Sequence, residues 1–425
     1  MSELKVVSLE ECLEKVIDYR GRTPKKLGKD WVKNGEYRAI SANNVKFDGL
    51  IREESIYRGD EELYKLWMKE EVEKGDILLT SEAPSGQAMI WDSDEKIILS
   101  QRLYALRVNK NLVDNSYLKY FIQSPLGQKS ITRNNSGSTV SGISAKTFKN
   151  IKILIPDLEN QQAISKFLLT IDQKIQVNNQ INQELEAMAK TLYDYWFVQF
   201  DFPDQNGKPY KSSGGKMVYN QELKREIPEG WGVEKIEEIA QTGSGGTPKS
   251  TNSSYYTDGE VPWINSGELN QTIITSTSNF ITEEGLRNSN AKLFPSGTIL
   301  VAMYGATAGK VSFLSFEAST NQAICAIMLS DVRMRYYLKN VIEDLYQYLV
   351  NLSTGSARDN LSQDMIKNIK VVIPSNEILD RYFHFSNNII KELTKKQQEN
   401  EQLIQLRDWL LPMVMNGQVK LENWI

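Results

Sequence analysis

Histidine occurs once in this 425-residue sequence, at His384, and cysteine twice, at Cys12 and Cys325. A single histidine excludes a histidine-based catalytic triad and a multi-histidine metal site within the chain. His384 sits in FHF with no acidic or cysteine partner at ligand spacing, so it reads as a structural or surface residue. Two distant cysteines form neither a disulfide framework nor a zinc spacing, and a reducing cytoplasm is the expected home. No apolar run approaches the roughly 20 residues that span a bilayer. The start, MSELKVVSLEECLEK, is acidic where a secretion signal would be basic and then apolar. Charge of one sign is also missing. The net charge is −4; residues 1–158 hold 25 Lys+Arg against 23 Asp+Glu, a net of +2, and residues 201–376 hold 16 against 19, a net of −3. A chain so balanced is expected to hold nucleic acid weakly alone, or with a partner that supplies positive charge.

Catalytic signatures are absent as well. GATAGKV at 305–311 resembles a phosphate loop, but only three residues separate Gly305 from Gly309 and Val311 follows Lys310. Its flanks, ILVAMY and VSFLSF, predict two strands joined there by a hairpin turn. GSGGTP at 243–248 is not GxGxxG. No acidic pair suits nuclease chemistry and no NPPY-like methyl-transfer motif occurs, so the chain reads as a binder.

What the sequence does contain is a duplication. NIKILIP closes at 156 and NIKVVIP at 374, and each predicts a buried strand ended by proline. The matches run in order through the chain: LEEC with IEEI, RTPKK with GTPKS, EYRAISANNV with EVPWINSGEL, KGDILLT with SGTILVA, LSQRLYALRV with TNQAICAIML, and SGSTVSGIS with TGSARDNLS. The offset drifts from 227 through 224, 222 and 221 to 218, as short loop insertions and deletions would make it. Two repeats of this size are duplicated domains, not a solenoid.

A long helical pattern follows each proline, with Asp157 and Ser375 as candidate N-caps. Ile171, Ile175, Asn178, Asn182, Leu185, Ala189 and Leu192 alternate in steps of four and three. Ile389, Leu393, Lys396, Asn400, Leu403, Arg407 and Leu410 stand at the matching positions, giving a heptad seam with a polar middle. The first pattern, over about 159–197, would make a rod of roughly 58 Å at 1.5 Å per residue. Its narrow apolar stripe needs a partner; the simplest is the other copy, antiparallel, with a parallel pair or packing against another chain as the alternatives. The joining segment PDQNGKPYKSSGGKMVYNQELKREIPEG is polar and rich in Gly, Ser and Pro, and reads as linker.

Polar loops recur at equivalent places in both copies while their residues differ. SANNV (41–45), SEAPSGQ (81–87), SQR (100–102) and RNNSGSTVSG (133–142) answer NSGELN (265–270), MYGATAGK (303–310), TNQ (320–322) and STGSARDN (353–360). Asn, Gln and Arg suit base edges, while small residues and glycine let backbone amides approach phosphates. Lys25 and Lys249, after the shared Thr-Pro, are candidate phosphate contacts. Asn43, Asn44, Gln101 and Arg102 are candidate base readers in the first copy; Asn265, Glu268, Gln322 and Arg358 are those of the second. The further candidate DNA contacts are Arg22, Lys26, Ser41, Gln87, Ser138, Thr139, Ser266, Tyr304, Thr307, Lys310, Asn321 and Ser356.

These blocks, together with NQELEAMAKTLYDYWFVQFDFP, GKPYKSSGGKMVYN…EIPEGW and LRDWLLPMVMNGQV, cover essentially the whole chain. In that order they resemble the specificity subunit of type I restriction-modification systems. The resemblance implies a mixed α/β (α+β) fold: two duplicated target-recognition domains separated by two long antiparallel coiled-coil helices. The expected layout is domain one at 1–158, spacer helix one at 159–200, a linker at 201–230, domain two at 231–376, and spacer helix two with the tail at 377–425. Each domain would read half of a bipartite, asymmetric site in double-stranded DNA, and the helices would set the gap. Two methyltransferase subunits would dock on it and bring S-adenosylmethionine; motor-endonuclease subunits would bring ATP and magnesium. No cofactor is expected on this chain, and no membrane. The competing reading is a duplicated protein–protein scaffold without DNA readout; a stand-alone enzyme is a third, for which no constellation exists.

Overall fold

The computed structural model describes residues 4–82, 84–135, 142–305, 307–345 and 361–419. The chain forms two compact units, one of residues up to Gln176 with those from Glu401 on, the other Val177–Asn400. The two long helices, Leu158–Tyr193 and Asn376–Met415, each contribute residues to both. Asp157 caps the first, accepting the Asn160 amide at 2.9 Å. At the second, the Ser375 carbonyl accepts the Leu379 amide, also at 2.9 Å.

In the first unit, Leu13–Asp18, Leu103–Val108, Ile77–Thr80 and Ala88–Ile90 form an antiparallel sheet in that spatial order. Beside it lies a three-stranded sheet of Tyr57–Gly59, Tyr37–Ile40 and Ile98–Leu99, whose last two strands are parallel. One face of the first sheet packs on the helix Asn115–Gln123, with Tyr104, Tyr117 and Tyr120 fully buried, and the other packs on the three-stranded sheet through Leu78, Ala105 and Ile98. Each buried Leu or Ile contributes roughly 1.5–3 kcal/mol. The helix stretches of this unit join the same core through Ile164, Leu168, Leu411 and Val414.

The second unit repeats the plan. Ala240–Ser244, Ile324–Leu329, Ile299–Ala302, Val311–Leu314 and Ile273–Ile274 form one sheet. Phe280–Ile281, Val261–Ile264, Ala318–Thr320 and Leu293–Phe294 form the other, with Val261–Ile264 parallel to Ala318–Thr320. The GATAGKV segment turns between the antiparallel strands Ile299–Ala302 and Val311–Leu314, as the flanking apolar runs predict. Within this unit the helices are antiparallel: Asn178 bonds Asn400, while Phe197, in the π-helical turn Asp194–Val198 that continues the first helix, meets Tyr382, earlier in the second, at 4.8 Å.

Two expectations need correction. The NIKILIP strand is not buried on both faces. Among the described residues it pairs only with Lys5–Ser8, in a two-stranded ribbon that leaves Leu154 and Val6 exposed. The segment 201–230 is not bare linker. Met217–Asn220 and Arg225–Pro228 form a hairpin, Phe202 stacks between Tyr210 and Trp231, and the Asp201 carboxylate accepts the Ser212 amide at 2.7 Å and its hydroxyl at 2.5 Å. His384 is exposed on the second helix.

A buried polar cluster ties the helices of the first unit to its globular part. Asp172 accepts from the Tyr120 hydroxyl at 2.6 Å and the Arg407 guanidinium at 2.9 Å, with the Lys119 ammonium at 3.4 Å. Lys119 and Arg407 are each 7% exposed. Burial depresses the Lys119 ammonium below the usual lysine value, although Asp172 pulls the other way.

Candidate nucleic-acid interface

Parallel neighbours in a sheet run the same way, so the loops that leave them emerge side by side. In the first unit these are Ser41–Asn44, after Tyr37–Ile40, and Ser100–Arg102, after Ile98–Leu99. Backbone bonds lock them together: Ser100 N–H donates to the Ile40 carbonyl at 2.8 Å, and Ala42 N–H to the Gln101 carbonyl at 3.2 Å. The result is a cleft of about 310 Å³ lined by Ser41, Asn43, Asn44, Gln101 and Arg102 among others. Five sequence-predicted residues from two loops some 60 positions apart therefore share one surface. Asn43, Gln101 and Arg102 are exposed. Arg102 takes a left-handed backbone, φ 60°, which costs a non-glycine residue roughly 1–2 kcal/mol. Its Nε lies 3.8 Å from the Glu82 carboxylate.

Asn44 is not available to read a base. It is 3% exposed; its Oδ1 accepts the Ser41 amide and hydroxyl at 3.1 and 2.8 Å, and its Nδ2 donates to the Ile51 carbonyl at 3.3 Å. Asn44 builds the loop that presents Asn43. Arg22 is likewise engaged in the fold: its guanidinium donates to the carbonyls of Trp67 and Leu66 and lies over the Tyr19 ring. Lys25 and Lys26 are exposed nearby, and Lys26 donates to the Gly21 carbonyl at 2.7 Å. Gln87 lies in the turn after Ile77–Thr80, its amide on the Thr80 hydroxyl at 2.9 Å, apart from the cleft residues.

The second unit builds the same frame with other side chains. Asn321 N–H donates to the Ile264 carbonyl at 2.9 Å, the counterpart of the Ser100–Ile40 bond. Asn321 Nδ2 donates to Asn265 Oδ1 at 3.2 Å, and the Thr307 hydroxyl to the Ser266 carbonyl at 2.9 Å, so three loops converge. The Gln322 amide oxygen accepts the Thr247 hydroxyl, which fixes the GTPKS turn beside it; Lys249 on that turn is exposed. Gly245 allows this approach, since a Cβ there would stand 1.9 Å from the Thr320 carbonyl oxygen. Glu268 stands where Asn44 does in the first unit. Its carboxylate accepts the Asn265 amide at 2.8 Å, Asn279 Nδ2 at 3.1 Å and the Thr277 hydroxyl at 2.8 Å. It too shapes its loop and is withdrawn as a base reader. Tyr304 is half-buried, and burial raises its phenol above the usual value. Lys310 is exposed on a separate cleft of about 320 Å³, with Asn270, Gln271 and Glu343. Ser138, Thr139, Ser356 and Arg358 lie outside the described residues.

Sequence reasoning missed the aromatic side of the first cleft. Trp31 and Tyr57 line it, their rings stacked at 5.7 Å and 11°. The only sequence signal is a pair of aromatics in otherwise polar runs. Among the described residues no group of three or more His, Cys, Asp or Glu could hold a metal ion, and no helix is long and apolar enough to cross a membrane.

Comparison with known proteins gives a consistent picture. The family model of the type I restriction modification DNA specificity domain matches residues 1–187 and again 228–403. The HindI type I restriction enzyme specificity subunit of Haemophilus influenzae is 27% identical, over 83% of this chain and 88% of its own. The MjaIX specificity subunit of Methanocaldococcus jannaschii is 26% identical, over 82% and 79%. The crystal structure of the type I restriction-modification S subunit from M. genitalium superposes with a TM-score of 0.60 at 14% identity, covering 97% of this chain and 96% of that one.

Proposed function

Because this chain belongs to the type I restriction-modification DNA specificity family, we propose that it is the sequence-reading subunit of such a complex, each unit reading one half of a bipartite, asymmetric site in double-stranded DNA. One observation carries the reading. The same backbone bond, Ser100 to Ile40 and Asn321 to Ile264, holds paired loops of different side chains on one repeated frame. A constant frame with variable polar tips is what reading two unlike short sequences requires. Asn43, Gln101 and Arg102 are the base-edge candidates in the first unit; Asn265, Ser266, Asn321 and Gln322 are those in the second. Lys25, Lys26 and Lys249 suit phosphates, which position without specifying.

The chemistry belongs to partners in this reading: two methyltransferase subunits using S-adenosylmethionine, and motor-endonuclease subunits using ATP and magnesium. They also supply positive charge that a chain of net −4 lacks. The two long helices set the gap between half-sites, and the complex works in the cytoplasm on duplex DNA.

The test is to express the chain with the modification subunits of its host and to map methylated bases on plasmid DNA. The expected result is one split motif with a fixed gap. Exchange of residues 1–158 for another such domain should change one half of it only. A complex that forms but modifies no motif would favour the scaffold reading instead.

A further inference from the structure

The first cleft has a feature that the described residues of the second unit do not repeat. Trp67 is fully buried and donates from its indole to the Leu99 carbonyl at 3.0 Å. Trp31 lies against it at 5.6 Å, and Tyr57 stacks on Trp31 at 5.7 Å. The three rings form a ladder from core to surface, and its last rung, Tyr57, is 64% exposed. One face of that ring is spent on Trp31, so the other is free at the lip that carries Asn43, Gln101 and Arg102. Exposed aromatics normally lose side-chain freedom on binding; this one is already fixed by its neighbours, so little ordering cost remains.

The duplication supplies an internal control. Tyr57 stands opposite Ala39 in its sheet. In the second unit the position of Ala39 is Trp263, whose amide donates to the Asn279 carbonyl at 3.0 Å. The residue opposite is therefore Asn279, and its amide is held by Glu268. One unit presents an apolar ring where the other presents an amide.

In the major groove the only apolar group on a base edge is the C5 methyl of thymine. A fixed ring face beside guanidinium and amide groups is a surface for that methyl. Resting on the function proposed above, we infer that Tyr57, backed by Trp31, reads a pyrimidine C5 methyl in the half-site of the first unit, and that the second unit has no equivalent contact. The choice between thymine and cytosine at one position then rests on Tyr57, while neighbouring positions rest on Asn43, Gln101 and Arg102.

The experiment uses the full chain assembled with its modification subunits and a duplex carrying the mapped motif. Each thymine of the first half-site, on either strand, is replaced in turn by deoxyuridine, which removes only the methyl. Binding is measured for wild type, Tyr57→Phe and Tyr57→Asn, with a thermal melt of each to confirm folding. At one position wild type and Tyr57→Phe should bind about fourfold more weakly without the methyl, the worth of one buried methyl group. Tyr57→Asn should be indifferent there, and thymines of the second half-site should respond alike in all three proteins. The inference is overturned if no first-half thymine is sensitive, if that half-site has none, or if Tyr57→Asn keeps the full sensitivity, even though specific binding persists. Loss of all specific binding by the wild-type complex would instead remove the function it rests on.

Discussion

Asn178 donates from Nδ2 to Oδ1 of Asn400 across 2.9 Å, at a point in the helix pair where Asn178 is fully buried. Asn400 donates onward to Asn179 at 2.8 Å, and Asn178 also reaches the Glu399 carboxylate at 3.0 Å. The seam is not fully satisfied: among the described residues Oδ1 of Asn178 and of Asn182 have no hydrogen-bond partner. Such a layer costs stability and fixes register. Asn400→Leu alone should therefore destabilise by about 1–3 kcal/mol, because it leaves more of Asn178 unpaired. Asn178→Leu with Asn400→Leu should recover most of that loss in a denaturant titration. If the double variant is as unstable as the single, the pair is not the coupled unit described.

The Asp172 cluster should behave differently, because it holds full charges. Asp172→Asn leaves Lys119 buried without its carboxylate, while Arg407 keeps Asp408 at 3.0 Å and Asp48 at 3.4 Å, and should cost about 3 kcal/mol. The loss should depend on pH, with a definite sign. Burial already depresses Lys119, and removal of Asp172 depresses it further. Between that depressed folded-state value and the free-lysine value of about 10.4 the unfolded chain then holds more protons than the folded one, so stability rises with pH in that window. The gap between variant and wild type should narrow as pH rises towards the free-lysine value in parallel urea titrations. A gap that widens would show that Lys119 is not the group responsible.

Much of this was legible in the sequence, for reasons that are physical. The helix pair shows because a heptad seam repeats in the chain itself, so Asn178, Asn400, Leu185 and Leu393 can be placed without a fold. The loops show because duplication marks them twice: the offset matches Ser41 to Asn265 and Gln101 to Gln322, while their meeting within each unit is seen only in the fold. What a side chain does inside its loop is another matter. Asn44 and Asn43 are adjacent and identical, yet one is buried and the other exposed, and the partners that decide it are the Ile51 carbonyl and Ser41. Arg22 is diverted by the Trp67 carbonyl, 45 residues away. The Trp31–Tyr57–Trp67 ladder has no period to betray it. The hairpin inside 201–230 was hidden by composition, since Gly, Ser and Pro serve tight turns as well as linkers.

That distinction yields a prediction for the loops. Asn44→Ala should lower the melting temperature and relax readout at more than one position, because it releases the whole Ser41–Asn44 turn. Glu268→Ala should do the same in the other half-site. Arg102→Ala should instead cost about 1–3 kcal/mol of binding and relax one position only. Lys25→Ala should weaken all sequences alike and reduce the salt dependence by about one ion. Binding of each variant to a set of single-base site changes, at two salt concentrations, separates these outcomes. A uniform loss from Arg102→Ala would move that residue to the phosphate group.

The final prediction concerns the gap. In the function proposed above the helices set the spacing, each contributing core residues to both units, such as Ile164 and Leu168 in one and Ile389 and Leu393 in the other. Each base pair inserted between half-sites adds roughly 3.4 Å and rotates the second half by about 35°. An α-helix cannot lengthen to follow, because its rise of about 1.5 Å per residue is set by hydrogen bonds along its whole length. One or two added base pairs should therefore abolish specific binding and leave only the salt-sensitive nonspecific mode, whereas a change of base identity inside the gap should have little effect. Tolerance of both insertions in a competition assay would mean that the helices do not set the spacing, and would leave the two units as independent readers on a flexible tether.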